Sequence, residues 1–409
     1  MGHSSNGITR RGFLRASAAS IAIVPAAAVR GTAANSKIRL GLLGCGRRGI
    51  WIGKLFAEHG GYEMAACADY FEDRVQAAAA ELGIPEKQGF TGLSGYRRVI
   101  EGGAVDAVAI ESPPYFHPGQ VKEAIDAGLH AFVAKPVAVD VPGCHSIAES
   151  GKRATEKKLC LLVDFQARVD PFMAEAMAKV ASGAIGPIAF GEATYHAEDP
   201  FAKREGVEEL AQSPDDPARR LRVFGLDRVL SGDIVVEQAI HTLDMLQWAM
   251  GRPPVRVSAT GARKVRKVGT SSDNFTALLD YGDGVGVTFS HRQIKGHGTV
   301  PSGIRVRLFG SDGVLEAAYA GATLIRGKNF FRGGESPGLF KEGAAVNIRA
   351  FHESITAGRF DNATVEPSVQ SNLLGVLVRN AAYCGQTIAW ADLIKDTEVL
   401  DAKLAGLKD

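Results

Sequence analysis

Three groups of residues in this chain have types and spacing that could do chemistry. The first is Gly44-Cys45-Gly46-Arg47-Arg48-Gly49, directly after the apolar run 38–43, with Asp69 some 20 residues further on. In this pattern Gly44 permits a tight turn, Gly46 lets a pyrophosphate approach the backbone, and Gly49 lets the next helix pack on the strand. The phosphates would sit at that helix's N-terminus, where free N–H groups and the dipole favour anions. Asp69, at the carboxyl end of the second strand, can bond both ribose hydroxyls, which favours NAD over NADP. Arg47 and Arg48 join the expected cofactor contacts, because a nearby arginine can also accept a 2′-phosphate. The second group is Lys135, at the end of an apolar run and beside Pro136. The third is Glu237 and His241, four apart on a predicted helix over 231–250 and so on one face. Asp244, one turn on, could orient His241. The spacing of these three would also suit a metal, but no H-E-x-x-H pattern accompanies it and no metal is expected.

These groups must be positioned by regular elements. Apolar runs at 38–43, 62–68, 107–110, 131–133 and 159–163 read as buried parallel strands. Helical periodicity occupies 50–59, 74–82, 119–127 and 142–157 between them. That alternation predicts an α/β Rossmann fold, a doubly wound parallel sheet, over residues 36–163. After a helix at 171–182, strand-like runs follow one another at 188–195, 255–260, 275–281, 285–290, 304–309, 314–318 and 322–325. Turns at 281–284 and 310–313 join neighbouring runs as hairpins. Residues 164–409 therefore read as an α+β substrate domain with a large open, mainly antiparallel sheet. Helices near 231–250, 346–357 and 369–384 should cover one face; the other invites a second copy, a homodimer or homotetramer. The polar, irregular stretch 198–220 reads as a surface excursion over the site.

Further motifs follow the later strands: Ser112-Pro113-Pro114-Tyr115-Phe116-His117, then Ala134-Lys135-Pro136-Val137-Ala138-Val139-Asp140, then Gly232-Asp233-Ile234 through Glu237 and His241 to Asp244. With the fingerprint they resemble the Gfo/Idh/MocA oxidoreductases, named for glucose–fructose oxidoreductase and inositol dehydrogenase, over nearly the whole chain from Ile38. The resemblance implies that Lys135 stands close to the nicotinamide and the reacting carbinol, as both a catalytic and a cofactor-binding residue. It also implies that His241 helps the proton relay and Glu237 grips the polyol. Ser112, Pro113, His117 and Gln166 would contact the cofactor, and Arg168 the substrate. Two positions depart from the family pattern: Ala134 replaces the acid before the lysine, and Glu237 replaces an aspartate. The implied activity is NAD-dependent oxidation or reduction of a ring secondary hydroxyl of a sugar, glycoside or cyclitol. Two alternatives share these residues: an NAD-assisted glycoside hydrolase or lyase working through transient ring oxidation, and a non-catalytic nucleotide-dependent sensor.

The N-terminus bounds where this would happen. Thr9-Arg10-Arg11-Gly12-Phe13-Leu14 precedes an apolar, alanine-rich run over 16–29, which reads as a twin-arginine export signal spanning 1–35. The first 34 residues hold four arginines and no acid, so their removal takes the formal charge from +2 to −2. No basic face is signalled, which argues against nucleic acid as a partner. Beyond the leader no segment is long and apolar enough to span a membrane. Five cysteines are scattered, odd in number and without a C-x-x-C pair, which argues against a disulfide framework or zinc site. Folding in the reducing cytosol before export to the periplasm explains free thiols. An exported nicotinamide enzyme should carry its cofactor out tightly bound and recycle it within the site.

Overall fold

Strands that are apolar on both faces need helices above and below them, and this requirement sets the first half of the fold. The computed structural model describes residues 37–300 and 302–409. The runs Ile38–Leu43 (β1), Tyr62–Asp69 (β2), Gly89–Thr91 (β3), Ala107–Ile110 (β4), His130–Ala134 (β5) and Leu161–Asp164 (β6) form one sheet in the order β3-β2-β1-β4-β5-β6. All its pairings are parallel. The intervening helices are Arg47–His59 (α1), Glu72–Leu82 (α2), Gly95–Glu101 (α3), His117–Asp126 (α4) and Val141–Glu156 (α5). Edge strand β3 is three residues long and carries Gly89, which hid it from the apolar pattern. The order reverses between β1 and β4, so their carboxyl ends diverge and open a crevice.

The second half follows Pro171–Ala181 (α6). Ile188–Ala197 (β7), Val207–Gln212 (α7), Pro217–Arg222 (α8), Ile234–Glu237 (α9) and Ile240–Met250 (α10) lead into Arg256–Ala262 (β8), Asn274–Asp280 (β9) and Gly286–Gln293 (β10). Gly303–Gly310 (β11), Gly313–Ala318 (β12), Ala322–Gly327 (β13), Phe331–Glu335 (β14), Leu339–Ala357 (α11), Val365–Cys384 (α12), Ile388–Ala389 (β15) and Trp390–Leu393 (α13) complete it. The strands form a nine-stranded sheet in the order β14-β13-β12-β11-β7-β10-β9-β8-β15. Only β7 and β10 run parallel within it. Strands β14 and β15 escaped the sequence pattern because one holds two glycines and two charges and the other is two residues long. Period-two burial runs along β9 and β10, with Phe275, Ala277, Leu279, Val287 and Phe289 turned inward. The opposite face leaves Phe190 and Leu278 exposed and stacks Phe190 on Phe309 at 4.5 Å.

Helix α12 ties the site together. It is buried along most of its length and packs on α5, α10 and β8. Its Asn372 accepts from the Val137 N–H at 3.0 Å and donates to the Ala138 carbonyl at 3.0 Å. Its Arg379 donates to the Val139 carbonyl. The loop that carries Lys135 is therefore fixed by a helix more than two hundred residues away in sequence.

Candidate active site

The glycine-rich turn shows why its residues must be small. Gly44 has φ +99°, and a Cβ on Gly49 would lie 1.9 Å from the Gly44 carbonyl oxygen. At Gly46, by contrast, a Cβ meets nothing nearer than Arg74 Nη1 at 4.0 Å, so the space over the start of α1 is open. Beside it lies an open cleft of about 620 Å³, lined by Gly44, Gly46, Asp69, Arg74, Ser112 and Pro113 among others. Asp69 caps the far wall: its Oδ2 accepts from Cys45 N at 2.8 Å and its Oδ1 from Phe71 N at 3.0 Å. Open space at a helix N-terminus, flanked by a carboxylate at the end of β2, fits a dinucleotide with its phosphates on α1 and a ribose at Asp69.

Lys135 stands at the carboxyl end of β5 with its side chain 8% exposed. Its Nζ donates to the Glu237 carbonyl oxygen at 2.7 Å and lies 3.7 Å from Glu237 Oε1. That arrangement depends on a departure from the sequence expectation. The predicted single helix over 231–250 is two helices: α9 ends at Glu237 and α10 begins at Ile240. His241 N turns to the Gln238 carbonyl at 3.4 Å, which leaves the Glu237 carbonyl to the lysine. Glu237 Oε2 accepts from Gln238 Nε2 at 2.5 Å, and Gln238 Oε1 accepts from Tyr195 OH at 2.5 Å. Burial lowers the Lys135 pKa, as does Arg48, with the Glu237, Asp164 and Glu111 carboxylates opposing. His241 is 7% exposed, and its ring packs 4.9 Å from Tyr319. Burial, with Lys135 and Arg48 nearby, holds its pKa well below the usual histidine range. Its Nδ1 is buried without a hydrogen-bond partner among the described residues. A neutral imidazole with an unsatisfied nitrogen has a bond to spare for a ligand.

Behind these groups lies a cluster that sequence reasoning missed. Arg48 points inward, its Nε 2.9 Å from Glu111 Oε2 and its Nη2 2.7 Å from Asp164 Oδ2. Both carboxylates are fully buried. Asp164 also accepts from Gln166 Nε2 at 2.5 Å and Asn347 Nδ2 at 2.8 Å. Among the described residues Glu111 has the one ion pair, and its oxygens make no hydrogen bond of good geometry. Burial outweighs Arg48 and pushes the Glu111 pKa up to about 7.

Several expected contacts take other partners. Arg48 belongs to this cluster, away from Asp69; Arg74 instead stands by Asp69, and Arg47 is exposed. His117 is buried, its Nδ1 2.8 Å from the Pro136 carbonyl and its Nε2 2.7 Å from the Ser112 carbonyl. Burial pushes its pKa down to about 4 against the two carbonyls, and the ring stands between two loops with both nitrogens turned to backbone oxygens. Gln166 bonds Asp164, and its Oε1 accepts from Tyr319 OH at 3.1 Å. Arg168 does not reach the cleft: its Nε and Nη2 both donate to Asp244 Oδ1, at 3.0 and 2.7 Å. Asp244 also accepts from Ser371 Oγ at 2.8 Å, so it anchors Arg168 and α12 rather than orienting His241. Lys135, Glu237 and His241 thus converge, Gly44, Gly46, Asp69, Ser112 and Pro113 line the cleft, Arg48, His117, Gln166 and Arg168 bond groups behind them, and Arg47 is exposed.

Comparison with known proteins decides the lineage. The NAD-binding Rossmann fold of the Gfo/Idh/MocA oxidoreductase family matches residues 38–165, and the GFO/IDH/MocA C-terminal domain matches residues 173–316. The chain belongs to this family. Myo-inositol dehydrogenase Hyg17 of Streptomyces leeuwenhoekii is 26% identical over 79% of this chain and 90% of its own length. A glycosyl hydrolase family 109 protein of a Shewanella species is 31% identical, over 39% of this chain and 35% of its own length. The solved structure of scyllo-inositol dehydrogenase from Lactobacillus casei, with bound NAD(H) and scyllo-inositol, shares the fold. Its TM-score is 0.65 at 21% identity, covering 87% of this chain and 99% of that one. The Gfo/Idh/MocA chain described here is therefore an NAD-binding oxidoreductase whose open crevice and buried lysine lie on one edge of its parallel sheet.

Proposed function

We propose that this protein is an NAD-dependent dehydrogenase of a ring secondary hydroxyl in a cyclitol or sugar. The carrying observation is Lys135, held with its Nζ 2.7 Å from a backbone carbonyl and 3.7 Å from the Glu237 carboxylate, beside the neutral, part-unsatisfied His241. Bound NAD supplies the hydride acceptor at this site. A lysine whose pKa is lowered by burial is available as the neutral amine, which can keep its bond to the Glu237 carbonyl while its lone pair takes the hydroxyl proton. The ammonium then formed is stabilised by Glu237 Oε1. His241 Nδ1 binds the reacting oxygen or a neighbouring hydroxyl, and Glu237 and Gln238 orient the ring. Polyol chemistry is favoured by this set of neutral and anionic groups and by relatives named for inositol.

Export through the twin-arginine route to the periplasm, with the cofactor tightly bound, belongs to the same proposal; the supporting residues Arg10 and Arg11 and the run 16–29 lie outside the described residues. Assembly into a homodimer or homotetramer through the open sheet face is supported by exposed Phe190 and Leu278.

A second reading, glycoside cleavage through transient ring oxidation, is favoured by the family 109 relative, although the similarity covers about a third of that protein. Reduced cofactor should accumulate when purified protein meets NAD and a panel of inositols and sugars. Lys135→Ala should abolish it while nucleotide still binds. Release of the phenol from an aryl glycoside, with no net cofactor reduction on any polyol, would replace the dehydrogenase with the second reading.

A further inference from the structure

The cofactor cleft is roofed by two segments that belong to neither wall of the crevice. Leu221 on α8 and Phe224 in the turn that follows line the cleft together with Asp69 and Phe71. Helix α8 is fastened to the nucleotide-binding half from both ends of one arginine. Arg222 Nη1 and Nη2 donate to Asp73 at 2.9 and 2.8 Å, and the Arg222 carbonyl accepts from Arg74 Nη2 at 2.8 Å. The Arg222 guanidinium also lies 4.0 Å from the centre of the Phe71 ring.

The C-terminal tail, residues 400–409, lies across the back of this roof. It has no helix or strand of its own, so ordering it costs about 1–2 kcal/mol per residue, which contacts must offset. Those contacts converge on the cleft. Leu404 and Leu407 pack in one apolar cluster with Leu221, Phe224, Tyr70 and Phe71. Arg220 Nη2 donates to the Ala402 carbonyl at 3.0 Å, Leu93 N to the Lys408 carbonyl at 3.0 Å, and Leu400 N to Asp140 Oδ2 at 2.9 Å. Gly92 and Leu93 themselves line the cleft, and a Cβ on Gly92 would lie 2.6 Å from the Asp409 carbonyl oxygen. The tail thus grips the cleft wall at one end and the roof at the other.

We propose that α8 with its following turn and the tail 400–409 form a two-part clasp that retains the dinucleotide, with Leu221 and Phe224 as cofactor-contacting residues and Leu404 and Leu407 holding them down. The proposal rests on the reading of this cleft as the NAD site. In this proposal the roof parts from Phe71 and Leu93 before release, and the clasp sets the dissociation rate.

The test compares the full chain with a chain ending at Val399, with Leu404→Ser/Leu407→Ser, and with Arg222→Gln. Dissociation of NADH is followed by the loss of its bound fluorescence on mixing with excess NAD, and thermal unfolding without nucleotide monitors the fold. The clasp predicts dissociation roughly tenfold faster or more in the truncated and double-serine chains, with a smaller rise in Arg222→Gln. Unchanged dissociation in variants that unfold like the full chain overturns the clasp. If truncation prevents folding, Arg222→Gln and the double-serine chain decide by the same criterion. A full chain that binds no NAD or NADH at all overturns the NAD-site reading instead.

Discussion

Glu111 offers a test of which force governs the centre of the site. Its carboxyl is fully buried at the end of β4, with one ion pair to Arg48 and no well-formed hydrogen bond. Burial favours the neutral acid and Arg48 favours the anion; burial wins, lifting the pKa from 4.5 to about 7. A carboxyl raised on folding contributes stability below its unfolded value and loses that contribution as pH rises through the folded one. At 1.36 kcal/mol per pH unit, the loss between pH 4.5 and 7 is about 3 kcal/mol.

Glu111→Gln keeps the shape of the neutral acid and cannot ionise. Urea unfolding of wild type and variant, run at intervals from about pH 5 to 8, isolates this group, because titrations common to both chains cancel in the difference. The two should be close in stability near pH 5, and the variant should gain about 3 kcal/mol on wild type by pH 8. A difference independent of pH would refute the reasoning. That flat profile is what a carboxylate held ionised throughout by Arg48 would give, because neither state then takes up protons between about pH 5 and 8.

Three further outcomes follow from the same geometry. Arg168→Met leaves Asp244 buried with Ser371 as its remaining side-chain partner, and should lower unfolding free energy by about 3–5 kcal/mol; a loss under about 1 kcal/mol would show the pair to be dispensable. Cys384 is exposed while Cys45, Cys67, Cys144 and Cys160 are buried, so a thiol reagent should label one site rapidly in the native protein and five in denaturant; rapid native labelling beyond one would contradict the packing. Glu237→Gln removes the carboxylate 3.7 Å from Lys135 Nζ but keeps the backbone bond. The acidic limb of the pH–rate profile for oxidation, set by deprotonation of Lys135, should move to lower pH by about one unit or more, and an unmoved limb would separate that carboxylate from the lysine's titration.

What could be read from the sequence was whatever is local along the chain. The glycine spacing, the strand before it and Asp69 after β2 form one continuous segment, and each glycine answers to a contact within that segment or just beside it. Lys135 and His241 were legible through motifs. Arg48, Glu111 and Asp164 were not, because they leave three separate elements and meet only when β1, β4, β5 and β6 lie side by side. Arg48 looked like a cofactor contact because it sits in the glycine fingerprint; which way a side chain leaves the first turn of α1 depends on the carboxylates waiting behind it. The partners of His117 and Arg168 were hidden for the same reason: whether a polar residue beside a site braces it depends on groups from distant elements, here the Pro136 and Ser112 carbonyls and Asp244.

The break between α9 and α10 shows how the fold serves the site at a local cost. Residues 234–246 carry no proline or glycine, and their apolar spacing would sustain one helix. Continuing it would commit the Glu237 carbonyl to His241 N in the i→i+4 ladder. The observed break gives up that regular bond and leaves the carbonyl to Lys135 Nζ at 2.7 Å, while Gln238 turns to Tyr195 and Glu237. A buried amine needs an acceptor in either protonation state, and a backbone carbonyl supplies one that neither titrates nor swings away. The Glu237 side chain is thereby free to answer the lysine's charge, and in the mechanism proposed above the lysine's lone pair is left for the substrate.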